Sequence, residues 1–114
     1  MMDSRATGDL RKGIAFLRKE VSSELPTQQL AILLEVIAEE GITMPALQKK
    51  LYMSSASVSK NIRMLSRFKD GDEIKGYDLL RTEPDLDERR RMAVFPTETG
   101  KRIVSEFLDI CLGK

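Results

Sequence analysis

Between Lys49 and Lys69 the sequence reads KKLYMSSASVSKNIRMLSRFK. Six of these positions are Lys or Arg and none is Asp or Glu, in a chain whose formal net charge is only +1. The chemistry open to such a stretch is phosphate binding. Each cation set against a nucleic-acid phosphate releases condensed counterions and gains affinity, and a carboxylate beside it would repel the same partner. Ser55, Ala56, Ser57 and Ser59 lie just before or among the cations Lys60, Arg63 and Arg67. Small side chains there permit close approach to base edges, and Ala56 suits a thymine methyl. A second cluster, Arg89, Arg90 and Arg91, suits a narrow minor groove, where the negative potential is deepest. The competing interpretation of the first run is a solvated face that touches nothing, and that of the three arginines is pairing with Asp85, Asp87 and Glu88 across a hairpin. Lys49 and Lys50 suit a helix C-terminus and phosphate equally well.

The rest of the charge is also blocked. Residues 24–48 hold acids and no base, and residues 70–88 hold eight acids against Lys75 and Arg81. Such alternation implies separate faces with separate partners. Other chemistries lack their residues. There is no histidine and one cysteine, Cys111, which excludes the usual zinc sets and the Cys–His and Ser–His–Asp nucleophiles. No phosphate-cradling glycine loop is present. No enzyme activity, metal or cofactor is expected. Cys111 falls in an apolar helical pattern and is expected to be a buried, inert thiol. The longest apolar run is far too short for a membrane span, and MMDSRATGDLRKG lacks the apolar core of a secretory leader. A cytoplasmic protein of one domain over residues 1–114 is expected.

These side chains need elements to position them. Leu10, Ile14, Leu17 and Val21 make one helical stripe, predicting a helix over 9–23. Thr27 is the predicted N-cap of a second helix carrying Leu30, Leu33, Leu34, Ile37 and Ala38, closed by Gly41. Thr43 caps a short helix with Pro45 in its first turn and Leu47 and Leu51 one turn apart. After the break at Tyr52, Ser54 or Ser55 caps a helix over 55–67. With Val58 inward, Ile62 and Leu65 fall within about 40° of it, and Ala56, Lys60, Arg63 and Arg67 face away. KDGDEIKG is predicted as a loop. YDLLRTE and RMAVFP are predicted strands joined by PDLDERR, with alternation placing Arg90 opposite Arg89 and Arg91. Thr97 caps a last helix over 97–113, apolar at Ile103, Val104, Phe107, Leu108, Ile110 and Cys111. This order predicts a mainly α fold with a small β-hairpin wing, a winged helix-turn-helix. Residues 27–96 would bind DNA, and the terminal helices 9–23 and 97–113 would join two copies, because so small a core gains from a partner.

The run LPTQQLAILLEVIAEEGITMPALQKKLYMSSASVSKNIRML resembles the helix-turn-helix of the MarR family of winged-helix regulators. Ser57, Val58, Ser59 and Lys60 match that family's recognition-helix opening. Asp85, Leu86, Asp87, Glu88, Arg89 and Arg90 resemble its wing pattern, and Pro96, Thr97, Glu98, Thr99 and Gly100 its entry to the next helix. The likeness spans roughly residues 25 to 110. It implies a homodimeric regulator of transcription, a repressor, with the 55–67 helix in the major groove of double-stranded DNA. The 83–92 wing would reach a minor groove through Arg90, steadied by Glu88. Asp87 and Pro96 depart from the pattern, and the link from Arg67 to Leu79 is longer and more acidic. One helix follows the wing where the family commonly has more, so a small-molecule effector is not expected. The alternative function is a protein-interaction module using the acidic 70–88 segment, with little or no DNA binding.

Overall fold

Asp3 accepts backbone N–H bonds from Arg5 (2.9 Å) and Ala6 (3.2 Å) and caps the first helix, α1, Ser4–Glu20, in the computed structural model, which describes residues 2–114. The helix begins at Ser4 and not at residue 9, because a polar first turn held by a cap has no apolar period to read. Arg18 and Lys19 in its last turn suit the negative end of the helix dipole. α1 belongs to a compact unit made of Met1–Leu25 and Arg102–Lys114. The latter segment holds most of the final helix, α5, Glu98–Cys111. A Cβ on Gly13 would press into Cys111 Sγ and the Phe107 ring, so α1 and α5 meet where α1 has no side chain. Leu17, Ile103, Val104 and Phe107 are buried, while Leu10, Ile14, Leu108 and Leu112 are 51%, 46%, 41% and 67% exposed. The apolar stripe of α1 is therefore covered at one end and open at the other.

The second unit is Pro26–Lys101. α2, Thr27–Ala38, opens on Pro26, whose carbonyl accepts from Gln29 and Leu30; no side chain caps it, so Thr27 is the first helical residue and not the N-cap. Gly41, at φ +90°, turns the chain and donates its N–H to Val94 O at 2.8 Å. A two-residue strand β1, Ile42–Thr43, follows. Thr43 Oγ1 then accepts from Ala46 N and caps α3, Met44–Leu51, with Pro45 in the first turn as predicted. Ser54 caps α4, Ser55–Leu65. The strands are β2, Phe68–Asp70; β3, Glu73–Lys75; β4, Leu80–Pro84; and β5, Met92–Pro96.

β1, β5 and β4 form one antiparallel sheet in that order, with Ile42 opposite Val94 and Leu80 opposite Pro96. β4 and β5 are the expected wing strands, shortened at the start because Tyr77 to Leu79 pair with the end of α4 instead. β2 and β3 form a separate hairpin where a loop was predicted. Its turn centres on Gly71 and Asp72, with positive φ at Gly71 alone of the two, as a type II′ turn requires. Thr97 Oγ1 accepts from Gly100 N at 2.9 Å and caps α5 as expected.

The core of this unit is Ile32, Leu33, Val36, Ile42, Leu47, Val58, Leu65, Leu80 and Val94, each at most 1% exposed. Burying one such side chain contributes about 1.5–3 kcal/mol. The contributors come from α2, α3, α4 and the sheet, so the core fixes the helix-turn-helix to the wing strands. Among the described residues no helix is long and apolar enough to cross a membrane.

Candidate nucleic-acid interface

The turn between α3 and α4 sets the exposed surface. Tyr52 ends α3 in the left-handed conformation, φ 52°, with its side chain in solvent. Ser54 Oγ then accepts from Ser57 N at 3.0 Å and starts α4. Val58, Ile62 and Leu65 point inward as their spacing predicted, and Asn61 joins them. Ser55, Ala56, Ser59, Lys60 and Arg63 are exposed together, while Ser57 is half-buried. The expected helix over 55–67 stops at Leu65. Ser66 Oγ donates to Ile62 O at 2.7 Å and its extended backbone turns the chain out of the helix. Arg67 is exposed but lies in the connection to β2, not on the helix.

The cations divide sharply by partner. Of the six bases between Lys49 and Lys69, only Lys50 has a carboxylate partner among the described residues: Glu39 at 3.3 Å and Glu35 at 3.8 Å. Lys49, Lys60, Arg63, Arg67 and Lys69 have none there. Arg63 lies over the Phe68 ring, 4.2 Å from its centroid. That contact holds the guanidinium without neutralising it. Below it, Met44, Ile62, Phe68 and Met92 line an open cleft of about 310 Å³ between α4 and the wing strands.

The wing loop spans residues 85–91. Asp85 N donates to Arg91 O at 2.9 Å, and the Arg91 guanidinium donates to Asp85 Oδ2 at 2.7 Å, so the loop is closed at its base. Arg90 lies 3.4 Å from Glu88 with its side chain 92% exposed. Arg89 is exposed and has no carboxylate partner among the described residues. The three arginines lie in the loop and not in a strand, so the alternation expected of them does not apply.

Two residues of this region were not anticipated. Asn61 occupies an inward position at three residues from Val58 and four from Leu65, which the periodicity itself marks as buried. Phe68 gave no signal, because a lone aromatic at the edge of a polar stretch looks like loop. At the other end of the chain Cys111 is half-buried, and burial, followed by the nearby Asp9 carboxylate, raises its thiol pKa. The thiol is thus less buried than expected, because it lies near the end of α5, where the helix is only partly covered.

Two helices at a tight turn, the second presenting a cationic face and followed by a hairpin, make a winged helix-turn-helix. Among solved structures this chain is similar to the S. aureus MepR–DNA complex, at 20% identity and a TM-score of 0.71, covering 91% of this chain and 77% of that one. It is similar to MarR at 24% identity and TM-score 0.64, covering 91% and 70%. The PcaV transcriptional regulator from Streptomyces coelicolor, in complex with its natural ligand, gives 18% identity and TM-score 0.59, covering 90% and 72%. No protein-family model matches the sequence, and neither does any curated protein. The fold is thus the MarR-like winged helix, as the motifs of the sequence led us to expect.

Proposed function

We propose that this protein binds duplex DNA as a homodimeric transcriptional regulator and represses by occupying an operator. α4 enters the major groove with Ser55, Ala56, Ser57 and Ser59 toward the bases and Lys60 and Arg63 toward bases and phosphates. Arg67 reaches flanking phosphate, and Arg89 and Arg90 of the wing meet a minor groove. Arg91, tied to Asp85, shapes the loop that presents them. The observation that carries this reading is the exposed cationic face of α4, which has no carboxylate partner among the described residues although acids flank it in the sequence. The resemblance to MepR, solved on DNA, supports the same use of the fold. The open apolar end of α1, Leu10 and Ile14, together with Leu108 and Leu112 of α5, supports a second copy as cover.

The deciding experiment is a gel-shift titration with random duplex across salt concentrations. The parent should retard DNA with a steep salt dependence. A Lys60→Ala/Arg63→Ala variant should bind more weakly, with a slope flatter by about one unit for each phosphate it no longer neutralises. Equal affinity and equal slope in the two proteins would remove α4 from the interface. Sedimentation at micromolar concentration tests the dimer. The rival use of residues 70–88 as an acidic docking surface has less support. Asp70 and Glu73 are paired with Lys75, Glu83 with Arg81, Asp85 with Arg91 and Glu88 with Arg90. Among the described residues, Asp72, Asp78 and Asp87 alone of these acids are left for a basic partner.

A further inference from the structure

Polar side chains are seldom buried without a partner or a purpose. Among the described residues Gln29 on α2 and Asn61 on α4 are the buried polar pair, 7% and 8% exposed. Gln29 Nε2 donates to Asn61 Oδ1 at 3.2 Å. Asn61 Nδ2 in turn lies 2.9 Å from Ser57 O, 3.4 Å from Ser57 Oγ and 3.4 Å from Gln28 Oε1. Ser57 N donates to the capping Ser54 Oγ. A continuous path of hydrogen bonds thus runs from α2 through Asn61 into the first turn of α4, the turn that carries Ser55 and Ala56.

This path is one bond short, because Gln29 Oε1 is buried with no partner. A buried acceptor left unpaired lowers stability, and two apolar side chains of similar size would pack there without that cost. The neighbouring contacts of Val58, Ile62 and Leu65 resist displacement by close packing but carry no preferred direction of their own. Hydrogen bonds do. Reading base edges demands side chains held within about 0.5 Å of their working positions.

We propose that Gln29 and Asn61 are positioning residues of the DNA-reading face. They fix the roll and register of α4 against α2, so that Ser55, Ala56, Ser59 and Lys60 meet base edges in one orientation. They therefore set discrimination between sequences, while the exposed cations set affinity. The inference rests on the reading of α4 as the helix that enters the groove.

The test uses a duplex enriched from a random pool by the parent protein and a scrambled duplex of equal length and composition, at one salt concentration. Affinities and thermal unfolding are measured for the parent, for Gln29→Leu/Asn61→Leu, and for Gln28→Ala, which removes only an exposed acceptor. The double variant should unfold at or above the parental temperature and bind scrambled duplex within about twofold of the parent, while its preference for the enriched duplex falls on the order of tenfold. Gln28→Ala should fold like the parent and lose a smaller part of that preference. A preference retained within about twofold in the double variant overturns the inference. So does a double variant that unfolds earlier or fails to fold, since the amides would then serve stability. A parent that enriches no sequence at all overturns instead the assignment of α4 to the groove, and the inference falls with it.

Discussion

On and beside α4, Lys60, Arg63, Arg67 and Lys69 lie in solvent with no carboxylate at hand among the described residues, whereas in the wing Arg90 and Arg91 are each tied to an acid within six residues of sequence. Both regions are rich in cations, yet they use charge differently. An unpaired cation keeps its full attraction for phosphate and its full salt dependence. A paired one has part of that attraction spent inside the protein, and in exchange it holds shape: the Arg91–Asp85 pair reinforces the backbone bond from Asp85 N to Arg91 O at the base of a seven-residue loop. Exposed pairs of this kind contribute about 0–1 kcal/mol to stability, so their value lies in shape. Under the proposed DNA-binding role, the contrast assigns most of the affinity to α4 and the shape of the wing loop to its two paired arginines, with Arg89 as the wing's unpaired cation.

The largest effect expected is from reversing charge on the unpaired side. Lys60→Glu/Arg63→Glu should lower duplex affinity on the order of 100-fold at moderate salt, with a fall in unfolding temperature no larger than loss of the Arg63–Phe68 contact and the helix-end charge explains, measured by anisotropy titration and calorimetry. A comparable loss from Arg91→Glu would erase the distinction between the two regions. Next, Arg90→Ala should flatten the salt slope by less than the roughly one unit expected of an unpaired cation, and Asp85→Ala should weaken binding although it removes a negative charge, because the loop loses its side-chain tie. Tighter binding by Asp85→Ala would show that the acid only repels DNA. Ser54→Ala removes the cap of α4 and should cost about 1 kcal/mol of stability by chemical denaturation, leaving the wing untouched. The smallest effect belongs to Lys50→Ala. Held by Glu35 and Glu39, Lys50 should change stability by under about 0.5 kcal/mol and leave the salt slope as it was, unlike Lys60→Ala.

Much of this was legible in the sequence where a local rule had no competitor. Thr43 and Thr97 act as the caps their types and positions predicted, and Ser54, one of two candidates, caps α4. Val58, Ile62 and Leu65 are inward, β5 falls within its predicted strand, and β4 starts inside its predicted strand and runs one residue past it to Pro84. The MarR-like motifs led to the observed fold. What escaped had specific physical causes. The first turns of α1 are polar, so apolar spacing could not extend the helix back to Asp3. Thr27 lost the cap position to Pro26, because the proline carbonyl already accepts the first helical N–H bonds. The β2–β3 hairpin is built from three-residue strands with charges at most positions, and only its Gly-Asp turn advertised it. Asn61 was missed because its residue type argues for surface while its position in the stripe argues for burial, and its partner on α2, 32 residues away, decides between them.

The β2–β3 excursion leaves and returns at one point. Leu79 N donates to Leu65 O at 2.8 Å, Tyr77 N to Met64 O at 3.0 Å, and Gly76 passes so close to Ser66 O that a Cβ would not fit. Everything between Phe68 and Lys75 therefore hangs from a sealed neck. Beyond Phe68, whose ring holds Arg63, such a branch can change in length or sequence without setting the path of the chain before or after it. It is the natural place on this scaffold for a new specificity to be added, by drift or by grafting.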